Sequence, residues 1–254
     1  MEYKNKDKFL AVWKRDRKFF TTAHLKYIAI FVMLLSHLSQ SGFLYMLEDD
    51  YYNIATSFTL IGRLAMPIFC FFTVQAVLFT KDIKKYFTRM FLFALISEIP
   101  FDLAFKNTLF DWSHQNVIFT LLIGALVIHF IDLTLQSNKD KYLKLAYIFF
   151  TIIVGILLAE FLKTDYSAYG ILAIILIYFT RNNKILLTLA IMIAFSFEFK
   201  MPGGFIDTTY GFVYLSIPLI LLYNGKLGKQ NKWLFYVFYP LHLFIIFLLK
   251  SMII

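Results

Sequence analysis

Two side chains in the segment Leu25–Gly42, LKYIAIFVMLLSHLSQSG, have the types and spacing of a working pair: Lys26 and His37. In an α-helix the eleven-residue step between them makes nearly three turns. That leaves them ~20° apart around the axis and roughly 16 Å apart along it. The run is apolar and long enough to enter a bilayer, so one face would carry a cation at the membrane surface and an imidazole at about half of the ~30 Å hydrocarbon depth. Ionisable groups are expensive at that depth and mark functional sites by default. Imidazole titrates near neutral pH and serves as a general base, while a surface lysine attracts anionic groups. A hydrogen bond between helices would also account for a histidine in this place.

Further charges interrupt the apolar runs. Arg63 falls in the second run and Glu98 in the third, each near mid-depth, and Asp102 follows Glu98 by four residues on the same helical face. Arg63 and Glu98 can form a structural ion pair, or Arg63 can meet a ligand while Glu98 acts as counter-ion or proton acceptor. His129 and Asp132 lie towards the inner end of the fourth run, Glu160 and Glu198 near outer ends, and His242 inside the last. His129 and His242 read as structural. No HExxH, P-loop, GxSxG or GxGxxG pattern occurs, so the usual signals of metalloproteases, NTPases, serine hydrolases and dinucleotide enzymes are missing.

The elements that position these groups follow from composition. The chain is 60% hydrophobic, 20% aromatic and 16% charged, against about 25% charged residues in soluble domains. It reads as an all-α, polytopic membrane protein of the cell membrane. Apolar stretches at about 25–46, 54–79, 86–105, 116–135, 142–162, 166–180, 184–199, 206–223 and 233–251 predict about nine spans. The net charge of +9 sits in short clusters between them, which argues for topology rather than nucleic-acid binding. Lys81, Lys84, Lys85 and Arg89, then Lys139, Lys141 and Lys144, then Arg181 and Lys184, then Lys226, Lys229 and Lys232 fall in alternate connections. The intervening ones carry Lys106, Lys163 and Lys200, with Lys250 near the C-terminus. That alternation predicts a cytoplasmic N-terminus and an external C-terminus. Residues 1–24 read as a basic interfacial segment on anionic lipid, and 25–254 as one transmembrane domain. Cys70 has no second cysteine to pair with, so neither an intrachain disulfide nor a CxxC metal site is expected.

The ordered motifs LKYIAIFVMLLSH, GRLAMPIFCFFTVQA, KYFTRMFLFALISEIPFDLAF, NVIFTLLIGAL and, late in the chain, YPLHL resemble the TraX family, membrane proteins named for N-terminal acetylation of conjugative pilin. The spacing of Lys26 and His37 and the segment RLAMPIF are also similar to motifs of the wider transmembrane acyltransferases. Two positions depart from the family pattern: Ser36 stands where Asp usually precedes the histidine, and Gln75-Ala76 where a Gly is usual. The resemblance implies acyl transfer from cytoplasmic acetyl-CoA, with no metal, to an amine such as a peptide N-terminus or to a hydroxyl of a lipid or glycan. On that reading Lys26 and Arg63 hold the donor and His37 is the base. Glu98 anchors Arg63 or orients His37, and the acceptor passes Asp102 and Asn116. A transporter or flippase, or a non-catalytic membrane component of a conjugation or secretion machine, would also use buried charges.

The charge alternation is directly checkable. A reporter fused after Lys141 is expected to read cytoplasmic, and reporters at Lys106 or the C-terminus external. A cytoplasmic C-terminus would remove one span from the count.

Overall fold

The structure, a computed structural model, describes residues 9, 11–13, 19–47, 51–196 and 208–253. Most of the basic N-terminal segment, together with Glu198 and Lys200, lies outside them. The described chain is helical: α1 (Thr22–Gln40), α2 (Phe43–Leu47), α3 (Tyr52–Gly62), α4 (Ala65–Phe79), α5 (Ile83–Lys106), α6 (Val117–Gln136), α7 (Lys141–Phe161), α8 (Ser167–Thr180), α9 (Lys184–Phe195), a 3₁₀ segment (Thr208–Leu215), α10 (Ser216–Leu221) and α11 (Lys232–Ser251). Extended pairing among the described residues is limited to two isolated bridges, Phe20 with Tyr223 and Gln115 with Thr164.

Among the described residues five helical segments are long and apolar enough to cross a membrane: Thr22–Gln40, Tyr52–Phe79, Val117–Gln136, Lys141–Phe161 and Trp233–Ser251. Two of the expected runs are broken. The first stops at Gln40, where Gly42 takes a left-handed φ of +83° that side chains resist. The N–H of Ser41 closes the helix on the His37 carbonyl at 3.0 Å. His37 therefore lies in the last turn of α1 rather than at the middle of a longer span. The second run turns at Arg63 and Leu64, between α3 and α4. Irregular backbone within an apolar run is tolerated where protein, not lipid, surrounds it.

Contacts divide the described residues into two compact units. One comprises 70–94 and 112–195 with the helical residues around Trp13, and the other 19–69, 95–111, 196 and 208–253. In the first, glycines let helices approach: Gly124 faces Ile174 and Gly155 faces Val127. Within this unit Asp132 accepts from the Tyr178 hydroxyl at 2.6 Å and from Gln136 Nε2 at 2.5 Å. Glu160 accepts from the Ala168 N–H at 3.2 Å, at the start of α8.

The second unit is built on α1. Its first turn begins with Thr21, whose hydroxyl accepts from the His24 N–H while His24 Nδ1 accepts from the Thr21 N–H. The orphan N–H groups of Thr22 and Ala23 donate to the carbonyls of Lys226 and Leu227 at 2.9 and 3.0 Å. Small residues line the seam with α3: Ser39 donates to the Ala55 carbonyl at 2.6 Å, Thr59 donates to Ser39 at 2.8 Å, and Gly62 lies directly against Ser36. Along its other side α1 runs parallel to α11. Tyr27 meets Phe235 near the start of both helices, with ring centroids 5.3 Å apart. At their ends Lys250 Nζ donates to the carbonyls of Ser41 at 2.6 Å and Ala104 at 2.8 Å. One ammonium thus serves the C-terminal carbonyls of α1 and α5, so α1, α5 and α11 end on the same side.

The Gly62–Ser36 approach generates a stability prediction. Gly62→Ala gains helix propensity but drives a methyl into Ser36, and overpacking of this kind costs about 1–3 kcal/mol. Thermal unfolding in detergent should show the loss, with partial recovery in Gly62→Ala/Ser36→Gly. An unchanged melting temperature for the single variant would show that the seam relaxes freely.

Candidate functional site

Three chemistry-bearing residues of the second unit, Lys26, His37 and His242, lie along the α1–α11 seam. His37 projects from the last turn of α1, and His242 stands at the middle of α11. Their facing nitrogens, His37 Nδ1 and His242 Nε2, are 2.7 Å apart. The ring planes lie within 8° of parallel with centroids 5.0 Å apart, a separation equal to the hydrogen bond plus the two ring radii. The imidazoles therefore meet edge to edge. On its far side His242 Nδ1 is 2.7 Å from the Phe238 carbonyl, one turn earlier in α11.

Aromatic rings enclose the pair. Phe105 of α5 and Tyr239 of α11 make T-shaped contacts with His37 at centroid distances of 5.4 and 6.0 Å, and the Phe238 ring stacks on His242 at 4.7 Å. The two histidines differ in access. His242 is only 5% exposed, while His37 is half-buried. Its Nε2 has no hydrogen-bond partner among the described residues. An imidazole with one nitrogen tied down and the other open can take a proton from something that enters.

Lys26 lies three turns below His37 on the same face of α1, as its spacing predicts. Its ammonium sits over the Phe235 ring at 5.2 Å, and it too faces α11. Arg63 is the C-cap of α3, at the break before α4, and is half-buried. Glu98 is half-buried on α5. It is two turns before Phe105 on the same helical face, which sets it roughly 10 Å below the His37 level. The orienting bond to His37, for which Glu98 was one expectation, comes from His242 instead.

The two residues expected beside the acceptor do structural work. Asp102 is 2% exposed and accepts from the Asp111 N–H at 2.8 Å, bracing the turn after α5. Asn116, fully buried in the first unit, caps α6 by accepting from the Ile118 N–H at 3.0 Å. Its amide donates to the Ala94 carbonyl at 2.9 Å. An Asn directly before an apolar run is a general helix-start signal, which the acceptor reading of Asn116 does not use. His242 is the residue that sequence reasoning undervalued. Among the described residues no group of three or more His, Cys, Asp or Glu side chains is disposed to hold a metal ion.

Asn116→Ala should destabilise the protein by about 0.5–2 kcal/mol through the lost cap. It also removes a second bond to the Ala94 carbonyl, and thermal unfolding in detergent should show the loss. An unchanged melting temperature would show that the cap contributes nothing to stability.

Comparison with known proteins places this geometry in context. The family described as "TraX protein" matches residues 21–250. A protein of Dichelobacter nodosus described as "Probable fimbrial assembly protein FimC, serogroup H1" is 26% identical over 242 residues, covering 88% of this chain and 93% of that one. No solved structure matches.

Proposed function

Because the chain belongs to the TraX family, we propose that it is a multi-pass membrane acyltransferase that moves an acetyl group from acetyl-CoA to an amine or hydroxyl acceptor, with His37 as its general base. The observation that carries this reading is the half-buried imidazole held at one nitrogen by His242 and open at the other. The acceptor's nucleophilic N or O attacks the thioester carbonyl while His37 Nε2 takes its proton. As the tetrahedral intermediate collapses the C–S bond breaks, and the leaving thiolate takes that proton back from His37. The base is regenerated and CoA leaves as the free thiol.

The donor arrives from the cytoplasm. Lys26, at the N-terminal end of the seam, gives a cation for its phosphates, and the roughly 16 Å from Lys26 to His37 suits a slender pantetheine arm. Arg63, at the helix break, supplies further positive charge for the donor or the developing oxyanion, with Glu98 on α5 as its counter-ion. The parallel run of α1, α5 and α11 supports an odd number of spans, and the charge alternation of the connections is the support for an inner N-terminus. The name of the Dichelobacter relative makes a pilin-type peptide N-terminus the first acceptor to try. The same name also suits a second reading, a non-catalytic component of fimbrial assembly, which gives the histidine pair no chemical task.

The test is acetyl transfer from labelled acetyl-CoA by the full-length protein in proteoliposomes, with peptide, lipid and glycan acceptors resolved by mass spectrometry. His37→Ala should insert normally and lose about 10²–10⁴-fold in rate. His37→Gln keeps hydrogen-bonding capacity but takes no proton at neutral pH, and should be equally slow. Full activity in either variant would remove His37 as the base. Wild-type protein without transfer to any acceptor, but still supporting fimbrial assembly, would favour the non-catalytic reading.

A further inference from the structure

The hydrogen-bond chain along the α1–α11 seam admits one proton assignment for neutral rings. The Phe238 carbonyl can only accept, so His242 Nδ1, 2.7 Å away, carries its hydrogen. The other nitrogen of a neutral imidazole is then a bare lone pair, so His242 Nε2 accepts. Its partner at 2.7 Å, His37 Nδ1, must therefore donate. The lone pair of His37 is left on Nε2, the nitrogen without a partner among the described residues.

We infer that His242 is a positioning residue that holds His37 in the Nδ1–H tautomer and so makes Nε2 the proton acceptor. The edge-to-edge, nearly coplanar arrangement of the rings is the geometry of a directed hydrogen bond rather than of packing. A free imidazole in water favours the opposite tautomer, with hydrogen on Nε2. Left to itself, His37 would then turn its lone pair towards α11, where no substrate reaches it. At 5% exposure His242 is shielded from water that would compete for the bond, and the Phe238 carbonyl fixes its own tautomer from behind. When Nε2 takes a proton, the Nδ1–H bond to His242 persists and steadies the imidazolium. A neutral orienter of this kind does so without adding a buried negative charge to an apolar seam. The tautomer stands on geometry alone, whereas its catalytic consequence rests on the acyltransferase reading.

Nitrogen NMR of the full chain labelled with ¹⁵N-histidine in lipid bilayers reads the tautomers directly, with His37→Gln and His242→Gln used for assignment. In the wild type His37 and His242 should both carry hydrogen on Nδ1 and not on Nε2. In His242→Leu the His37 hydrogen should move to Nε2. The kcat should then fall by between about tenfold and the ~10⁴-fold that follows when a catalytic histidine is left in the wrong tautomer. KM for acetyl-CoA should stay within about twofold, because no donor contact is removed. His242→Gln, whose amide oxygen can stand where Nε2 stood, should keep the Nδ1–H form and recover most of the rate. Hydrogen on Nε2 of wild-type His37 would overturn the inference whether or not transfer is observed. Full kcat in His242→Leu would overturn the positioning role. The expected tautomers in a wild-type protein that transfers nothing would support the assignment while sinking the acyltransferase reading. The wild-type spectrum decides the assignment even if His242→Leu fails to fold.

Discussion

Two imidazoles set between apolar helices have to satisfy each other. A buried ring nitrogen without a partner costs about 1–3 kcal/mol, and lipid offers no water to supply one. In this protein three of the four ring nitrogens are satisfied through one contact, His37 Nδ1 to His242 Nε2, backed by the Phe238 carbonyl, and His37 Nε2 is left open. That contact demands that α1 and α11 keep a single rotation and a single level. Both ends of the seam enforce it. At the start, Thr22 and Ala23 donate to the carbonyls of the loop before α11, and Tyr27 packs on Phe235. At the finish, Lys250 holds the carbonyls of Ser41 and Ala104, a cation at helix C-termini where the macrodipole favours it. Pro240 removes a helical hydrogen bond two residues before His242, so α11 depends the more on these outside contacts.

How much of this was legible beforehand differs residue by residue. The Lys26–His37 spacing carried its full meaning, because 3.6-residue periodicity puts both on one face whatever the partner helix. Both do face α11. The level of His37 on its helix was not legible in the same way. Hydropathy continues through Phe43, Leu44 and Tyr45, and only the left-handed glycine at 42 shows that the helix has already ended. The turn at Arg63 has a local mark in Pro67, which has no N–H to offer the Arg63 carbonyl four residues earlier, but Gly62 reads as an ordinary small residue until its approach to Ser36 is seen.

His242 was out of reach for a different reason. It lies 205 residues from His37, and no periodicity within one helix says which other helix it will face. A lone histidine in an apolar run reads as structural, and here it is structural: it makes the hydrogen bond such residues are expected to make. Its partner turns that bond into a chemical statement. Asp102 and Asn116 show the converse. Polar residues near a helix end invite a substrate role, but helix starts and tight turns need carboxylate and amide groups for their own backbone.

The departure at Ser36 bears on how the site is oriented. An aspartate there would be adjacent to His37 in sequence and would point about 100° away from it around the helix, so it could not take the His37 Nδ1–H along the helix face. Ser36 instead points at Gly62, its hydroxyl accepts from Gln40 Nε2 at 2.8 Å, and the close approach leaves no space for a longer side chain. The α1–α3 seam and the α1–α11 seam therefore divide the labour on two faces of one helix turn, about 100° apart. Ser36 supplies close packing, and its neighbour His37 reaches across to a partner that can fix its protons. A carboxylate at position 36 would have to separate α1 from α3, and any rotation of α1 that relieved the crowding would swing His37 off His242. The small residue at 36 is thus coupled to the geometry at 37 through the backbone they share. The orientation of the imidazole comes from α11 rather than from its own helix.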